Sequence, residues 1–349
     1  MEYSLTSMKG VWRYKNLIHP TIENSDIVTK MEGNTNLYEN FRISDFTGIK
    51  NIHLKHEGEN PTGSFKDRGM TVAISEAKRL KFNKTLCAST GNTSAAAASY
   101  SSFAGLESYV MIPEKNVSPN KLFQAIAYGA NIVNIDGDFD NAMADVKETI
   151  SKRNDFYLLN SLNPWRIEGQ KTIIYEIMED LEPDFISFPA GNLGNTSAFG
   201  KALMELKEMG RINKIPRLVA IQANGAAPFY NYINNKSEVM IPVKAETIAT
   251  AIKIGSPVNF KKAKRSIEFT SGIVEKVSDE EILSSKRIID RSGIGCEPAS
   301  AASVAGIKKL RERGIIDRSD IVVSILTGNI LKDVSIVPEH KELKLSDIF

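Results

Sequence analysis

Four segments of the chain combine glycine with serine, threonine and asparagine at positions where chemistry could take place. They are ENPTGSFKDRG at 59–69, ASTGNTSA at 88–95, PAGNLGNTSAFG at 189–200 and LTGN at 326–329. In open parallel sheets, ligands bind beyond the carboxyl ends of the strands, where such turns occur. One glycine-rich turn is ordinary in a protein, but four of them predict a site that is assembled from several loops.

The third segment has residues that suit a phosphate. Gly191 and Gly194 allow tight turns, and a helix is predicted to start near Thr196. The free N–H groups and the partial positive charge of a helix start favour an anion. The segment has neither the GxxxxGK[ST] pattern of a P-loop nor a GxGxxG fingerprint. An ordinary loop between a strand and a helix would show the same residue types.

Lys66 lies in the first segment, in a position that favours a reactive amine. Pro61 and Gly63 predict a turn and Ser64 an N-cap, so Lys66 falls in the first turn of a helix. Cations are disfavoured at a helix N-terminus, and Arg68 adds a second positive charge, so both would lower the pKa of Lys66. An amine with a larger neutral fraction can form an imine with an aldehyde. A solvated surface lysine is the other interpretation.

Two further segments offer groups that could hold anionic parts of a substrate. Ahead of an alanine-rich helix, the groups that could hold a carboxylate are Ser89, Thr90, Asn92 and Thr93. In LNSLNPWRIEGQK at 159–171, the groups that suit a second phosphate are Asn160, Ser161 and Arg166. The arginine fork can bond a phosphate through two N–H groups. For the residues ahead of the alanine-rich helix, the alternative interpretation is a helix cap. For the residues in 159–171, it is a surface ion pair.

The elements that must position these loops are strands and helices in alternation, which predicts an α/β protein with parallel sheets. The runs that have the pattern of strands are 52–57, 84–89, 107–112, 131–136, 184–189, 217–222 and 320–326. Segments between them, such as 141–153, have the apolar spacing of helices.

Composition narrows the class of protein. The 349 residues include 44 Lys and Arg against 42 Asp and Glu, a balance that does not favour a nucleic-acid partner. No apolar run approaches the roughly 20 residues of a membrane span, and the N-terminus lacks the apolar core of a signal peptide. Two cysteines fit a reducing compartment, and neither they nor the four histidines have metal-ligand spacing. We therefore expect a cytoplasmic enzyme without a metal.

Taken together, the four segments resemble threonine synthases, which are pyridoxal-phosphate enzymes of fold type II. The resemblance extends to NSLNPWRIEGQKT at 160–172, QANGAAPF at 222–229, ETIATAIKIGSP at 246–257 and EPASAASVAG at 297–306. It implies two open α/β domains, as in the tryptophan synthase β subunit, with pyridoxal 5'-phosphate in the cleft between them. The smaller domain would span 48–150, and the larger would combine 1–47 with 151–349.

By position, the resemblance also implies roles for the site residues. Lys66 would form the Schiff base with the cofactor aldehyde, Asn92 would bond the ring hydroxyl oxygen and Thr327 would meet the pyridine nitrogen. The cofactor phosphate would be held by Gly191, Asn192, Leu193, Gly194 and Asn195. The substrate carboxylate would be bound by Ser89, Thr90 and Thr93, and the substrate phosphate would lie near Asn160, Ser161 and Arg166.

The implied reaction converts O-phospho-L-homoserine and water to L-threonine and phosphate, with Lys66 as acid and base. Two related activities stay open, a cysteate synthase that takes phosphoserine and sulfite, and a threonine or serine dehydratase. Dehydratases usually carry a run of glycines where GNLGN stands here. A non-catalytic homologue would not need the amine of Lys66. Members of the family are often dimers, so a homodimer is expected.

Three positions depart from the usual pattern of that family. Asn36 replaces a proline in EGNTNL, Phe260 stands where a tryptophan is common, and Ile330 follows TGN where a glycine is common. A β-branched residue does not easily adopt a positive φ. We therefore expect Ile330 to have an ordinary extended or helical backbone.

Overall fold

The computed structural model describes residues 8–113, 119–135 and 155–336. Within these ranges the helices are Lys15–Ile18 (α1), Phe41–Thr47 (α2), Lys66–Arg79 (α3), Asn92–Phe103 (α4), Pro119–Ala127 (α5), Pro164–Asp180 (α6), Gly194–Glu208 (α7), Pro228–Asn234 (α8), Phe260–Phe269 (α9), Asp279–Arg291 (α10) and Pro298–Glu312 (α11). The strands are Leu37–Tyr38 (β1), Asn51–His56 (β2), Lys84–Ala88 (β3), Glu107–Pro113 (β4), Asn131–Ile135 (β5), Phe156–Leu158 (β6), Phe185–Pro189 (β7), Arg217–Ala223 (β8), Ile273–Val277 (β9) and Ile321–Leu326 (β10). Short 3₁₀ turns occur at Gly10–Tyr14, Asn24–Asp26, Glu57–Glu59, Thr250–Ile252 and Ile330–Lys332. The helix predicted at 141–153 lies outside the described residues.

Six strands form the larger sheet, in the order β1-β2-β10-β7-β8-β9. β1 runs antiparallel to β2, and the other neighbours are parallel. Alternate side chains of β7 face opposite sides, so that Ile186 and Phe188 pack with α6 and α7, whereas Phe185 packs with α10 and α11. Helices therefore cover both faces, which explains why every residue of β7 is buried.

Four strands form the smaller sheet, in the order β5-β4-β3-β6, and all of its neighbours are parallel. Helix α4 packs on β3 and β4 through buried alanines, including Ala96 and Ala97 beside Cys87. Side chains this small let the helix lie close to the sheet. The two sheets confirm the predicted α/β class with parallel strands.

All seven predicted strands are present, each within two residues of its expected bounds. β1, β6 and β9 were not predicted. β1 and β6 are only two and three residues long, which is too short for a pattern of alternating residues to show. β2 pairs with β10 in the larger sheet, and β6 pairs with β3 in the smaller one. A β-branched run does not indicate which sheet it joins, and the division into two domains stays a prediction.

A buried ionic cluster ties the larger sheet to the helices that carry the site. Arg68 Nε lies 2.6 Å from Glu57 Oε2, and its Nη2 lies 2.7 Å from Glu176 Oε2. Lys55 Nζ lies 2.8 Å from the same oxygen of Glu176. Burial opposes the charge on Arg68, but the carboxylates of Glu176 and Glu57 raise its pKa. Burial also opposes the charge on Glu176, yet the cations lower its pKa to about 2, so both partners are ionised.

We expect Arg68→Ala to lower the free energy of unfolding by about 3–5 kcal/mol, because it leaves buried carboxylates without their cation. Urea unfolding of the two proteins measures the difference. The control is Lys78→Ala, which changes a partly exposed lysine in the last turn of the same helix. It should lower the free energy of unfolding by less than about 1 kcal/mol. Equal losses in the two variants would contradict a stabilising role for the cluster.

Candidate active site

Two paired loops set the position of Lys66 at the end of the larger sheet. The N–H of Phe65 donates to the carbonyl oxygen of Thr327 at 3.0 Å, and the N–H of Asn329 donates to that of Gly63 at 2.9 Å. Thr327 directly follows β10, and α3 begins at Lys66. The first and fourth of the glycine-containing segments therefore meet, as the sequence predicts.

Lys66 is partly buried, and its Nζ lies 3.9 Å from the ring centroid of Phe65. Burial lowers the pKa of Lys66 to about 7, and the cation of Arg166 acts in the same direction. The nearby groups Glu297 and Cys87 oppose this shift. A substantial fraction of the amine is therefore neutral near pH 7, as imine formation requires.

Two details of the predicted lysine loop are wrong. Arg68 is not the second charge that lowers the pKa of Lys66, because its guanidinium is turned into two buried carboxylates; Arg166 has that effect instead. Ser64 is not the N-cap, a position that Phe65 occupies without a capping side chain. The Oγ of Ser64 lies 3.4 Å from the backbone nitrogen of Lys66.

Reductive labelling with a small aldehyde is expected to modify Lys66 with a midpoint near pH 7, because the neutral amine is the reactive form. Peptide mass spectrometry across a pH series gives the midpoint. In Arg166→Met the midpoint should move upward, since removal of a nearby cation makes protonation of the lysine easier. A midpoint near 10, the value for a lysine in water, would contradict the environment described.

A buried carboxylate joins two of the predicted residues. Asn92 begins α4, and its Nδ2 donates to Glu297 Oε2 at 2.9 Å, while Thr327 Oγ1 donates to Oε1 of the same carboxylate at 3.3 Å. Glu297 is 3% exposed and stands directly before α11. Its residue type and position in the sequence do not predict a role. The available signal was its place at the head of EPASAASVAG, one of the segments that carry the family resemblance.

The loop GNLGN presents unused backbone donors at the start of α7. The helix begins at Gly194, after a buried Leu193 that has φ 62°. Within the described part of the chain, the backbone N–H groups of residues 191 to 196 have no acceptor. The first N–H group after them that donates a hydrogen bond is that of Ser197, to the carbonyl oxygen of Leu193. A Cβ on Gly191 would lie 3.1 Å from Cα of Ile252, so the loop packs closely against the neighbouring chain.

Three buried polar atoms at this loop also have no partner within the described residues. They are Asn195 Oδ1, Thr196 Oγ1 and Gln170 Oε1. Buried polar groups are normally hydrogen-bonded, so unpaired ones beside free N–H groups indicate a missing ligand. The threonine hydroxyl can donate, and an amide can present its N–H after a flip. These donors fit a phosphate, and Gln170 is a neighbour that sequence analysis did not identify.

Arg166 is a buried cation without a carboxylate partner in the described ranges. It is 3% exposed, its Nη1 donates to the carbonyl of Leu159 at 3.1 Å, and its Nε has no partner. Burial lowers its pKa. An arginine buried in this way requires an anion to compensate its charge. The surface ion pair that was the alternative interpretation is therefore not what the structure has.

Asn160 and Ser161 join the loop before α6, the helix that carries Arg166, to other parts of the site. The amide of Asn160 bonds both backbone groups of Ala88, at 2.9 and 3.0 Å. Asn259 Nδ2 donates to the carbonyl oxygens of Ser161 and Asn192, at 3.4 and 3.3 Å. Asn259, which sequence analysis missed, thus joins the loop before α6 to the loop before α7.

The remaining predicted residues line the turn between β3 and α4. Ser89, Thr90 and Thr93 are partly buried, and Ser89 Oγ accepts the N–H of Gly91 at 3.3 Å. Because Asn160 bonds Ala88, this turn is adjacent to the loop that precedes α6 and Arg166. The hydroxyls and the N–H groups at the start of α4 could hold a carboxylate.

The three departures have local explanations. Ile330 begins a 3₁₀ turn and has no positive φ, as expected. The N–H of Asn36 donates to Glu59 Oε2 at 2.8 Å, a bond that a proline could not make. Phe260 packs edge-on against Tyr232, with ring centroids 5.8 Å apart.

The described ranges contain neither a cluster of metal ligands nor a helix that could span a membrane. No three His, Cys, Asp or Glu side chains come together there as a metal site would require. Each helix in those ranges is too short or too polar to cross a membrane.

Comparison with known proteins places this chain in a family. The pattern of the family described as "Pyridoxal-phosphate dependent enzyme" matches residues 28–328. The chain is 47% identical to the threonine synthase of Methanocaldococcus jannaschii, over 93% of this chain and 81% of that protein. It is 46% identical to the threonine synthase of Methanosarcina acetivorans, over 95% and 82%. With that of Bacillus sp. (strain ULM1), identity is 42% over 97% and 95%.

Solved structures support the fold alone, because their identities to this chain are low. Maize serine racemase superposes with a TM-score of 0.73 at 19% identity, covering 94% of this chain and 95% of that one. The processed form of threonine deaminase isoform 2 from Solanum lycopersicum gives a TM-score of 0.74 at 19% identity, covering 92% and 91%.

Proposed function

The chain belongs to the pyridoxal-phosphate dependent enzymes and, among them, to the threonine synthases, and from this we propose that it converts O-phospho-L-homoserine and water to L-threonine and phosphate. The observation that carries the proposal is Arg166, a buried cation without a carboxylate partner in the described ranges that acts on the pKa of Lys66. Such a cation suits a substrate that brings its own phosphate. L-Serine, the substrate of a dehydratase, brings none.

The residues present fit the cofactor. Lys66 has the amine for its aldehyde, and the unpaired donors from Gly191 to Thr196 suit its phosphate. Asn92 would donate to the ring hydroxyl oxygen, and Thr327 would face the pyridine nitrogen. When bound, pyridoxal phosphate supplies an aldehyde that amines can join and a ring that withdraws electrons from the adjacent carbon.

Lys66 would move the protons of the reaction. Its neutral amine takes the proton from Cα and helps to remove one from Cβ, while the C–O bond at Cγ breaks and phosphate leaves. The same group returns a proton at Cγ. Water then adds its hydroxyl at Cβ, Lys66 returns a proton to Cα, and the one remaining proton leaves with phosphate. A pKa of about 7 suits both directions of transfer, because the amine and its conjugate acid are then both populated near neutral pH.

Arg166 and the β3–α4 turn would hold the two ends of the substrate. The guanidinium can bond the phosphate through two N–H groups and stabilise the charge that grows as phosphate departs. Near the phosphate would also lie Asn160 and Ser161. Ser89, Thr90 and Thr93, with the N–H groups at the start of α4, would bind the carboxylate.

A panel of substrates tests this assignment. The protein loaded with pyridoxal phosphate is given O-phospho-L-homoserine, O-phospho-L-serine with sulfite, L-serine or L-threonine, and products are quantified. We expect threonine from the first substrate at a kcat/KM at least about tenfold above the others. Cysteate from phosphoserine and sulfite as the main product, or oxoacids from serine and threonine, would overturn it.

We infer a cytoplasmic homodimer from the family resemblance. The cysteines Cys87 and Cys296 are free and buried, which supports a reducing compartment. Light scattering distinguishes a 38.5 kDa chain from a pair, and a monomer at all concentrations would contradict the dimer.

A further inference from the structure

Glu297 makes contacts that none of the proposed catalytic or binding roles explains. Its two carboxylate oxygens accept hydrogen bonds from Asn92 and Thr327. Asn92 lies beyond β3 of the smaller sheet, and Thr327 lies beyond β10 of the larger sheet. Its own N–H donates to the carbonyl of Gly328 at 3.0 Å. A Cβ on Gly328 would lie 2.5 Å from Cδ of Glu297, so the absence of a side chain there lets the carboxylate lie against the loop.

We propose that Glu297 is a positioning residue that sets the orientation of the Asn92 amide toward the cofactor. A carboxylate accepts hydrogen bonds and cannot donate them, so only the Nδ2 of Asn92 can face it at 2.9 Å. The second N–H of that nitrogen is then available to donate to the cofactor ring oxygen. Without the carboxylate the amide could rotate and present its carbonyl instead. The inference rests on the proposed function, because it assumes bound pyridoxal phosphate.

The surroundings of Glu297 act on its charge in both directions. Burial raises the pKa of Glu297, and the hydrogen bond from Asn92 limits the rise, as do the positive charges of Lys332 and of protonated Lys66. While the carboxyl group is ionised, its charge strengthens the bond from Asn92, because a charge-assisted hydrogen bond is stronger than a neutral one.

A double-mutant cycle on cofactor binding tests the inference. Apo forms of the wild type, Glu297→Ala, Asn92→Ala and the double variant are titrated with pyridoxal phosphate, and the affinity and absorption spectrum are recorded. We expect each single change to weaken binding by about ten- to a hundredfold. If Glu297 acts through Asn92, the double variant is no weaker than Asn92→Ala, and Glu297→Ala has the shifted spectrum of Asn92→Ala.

Further variants separate positioning from stability. Glu297→Gln keeps the shape of the side chain, but its amide can donate hydrogen bonds as well as accept them. Its affinity for pyridoxal phosphate should therefore lie between those of the wild type and Glu297→Ala. Glu275→Ala removes another buried carboxylate, which lies on the edge strand β9 and is paired with Arg313. It should lower thermal stability without changing the spectrum.

Three outcomes would overturn the inference. One is that the losses of Glu297→Ala and Asn92→Ala are additive. The second is that Glu297→Ala binds the cofactor with wild-type affinity and spectrum. The third is that the wild type fails to bind pyridoxal phosphate, which would overturn the proposed function as well. The first two leave the proposed function intact.

Discussion

Lys66→Ala is expected to reduce the conversion of O-phospho-L-homoserine by at least about 10⁴-fold, because one amine both joins the cofactor and carries the protons. Covalent attachment of pyridoxal phosphate at this position should be lost with it. Borohydride reduction followed by peptide mass spectrometry detects that attachment, and a coupled phosphate assay measures turnover. The two readouts connect the chemistry to one nitrogen atom.

The control for Lys66 is Lys262→Ala, an exposed lysine on α9. It should retain wild-type turnover and cofactor content. Turnover by Lys66→Ala within tenfold of wild type would show that another group moves the protons, and it would remove the mechanism proposed here. Thermal unfolding of both apo proteins checks that neither variant has lost its fold.

Arg166→Ala is expected to lower kcat/KM for the phosphorylated substrate by about 10²–10³-fold. Arg166 and the substrate phosphate would form a buried, hydrogen-bonded charge pair, and removal of one partner of such a pair costs about 2–5 kcal/mol. A change of about 1.4 kcal/mol corresponds to a tenfold change in binding. Arg166→Lys should recover only part of the loss, because an ammonium keeps the charge but lacks the planar fork. Steady-state kinetics of the three proteins gives the comparison.

Inorganic phosphate provides a readout for Arg166 that does not depend on turnover. In the protein loaded with cofactor, calorimetry should find phosphate bound by wild type and bound at least about tenfold more weakly by Arg166→Ala. Arg265→Ala, an exposed arginine on α9, is the control and should match wild type. Equal effects of the two replacements on kcat/KM and on phosphate binding would contradict a substrate site at Arg166.

The loops of the site could be predicted from sequence because their signals are local. Glycines and small polar residues after β-branched runs indicate strand ends, and the ends of parallel strands meet at one edge of a sheet. That reasoning brought together the segments of Lys66 and Thr327, which pair in the structure. It also predicts an anion site at the start of α7, where unused N–H groups are found.

Charge partners could not be predicted, because they depend on tertiary packing. Arg68 lies two residues from Lys66 in sequence, yet it is neutralised by Glu57 and Glu176. Arg166 is a hundred residues away and acts on the lysine. Nothing in the local pattern distinguishes a paired arginine from an unpaired one.

Glu297 and Asn259 were missed for a related reason. Each stands beside a helix start, where glutamate and asparagine are common, so their residue types carry no special signal. Their importance lies in long-range bonds: Glu297 joins Asn92 to Thr327, and Asn259 joins Ser161 to Asn192. Such bonds become visible only when the two sheets are in place.

An isotope experiment distinguishes cleavage of the substrate at carbon from cleavage at phosphorus. The protein loaded with pyridoxal phosphate is incubated with O-phospho-L-homoserine in ¹⁸O-labelled water, and the products are examined by mass spectrometry. We expect equal amounts of threonine and phosphate, with ¹⁸O in threonine and none in phosphate, because the bond broken is C–O and water adds at Cβ. Homoserine together with ¹⁸O-labelled phosphate would indicate attack at phosphorus and would contradict the account.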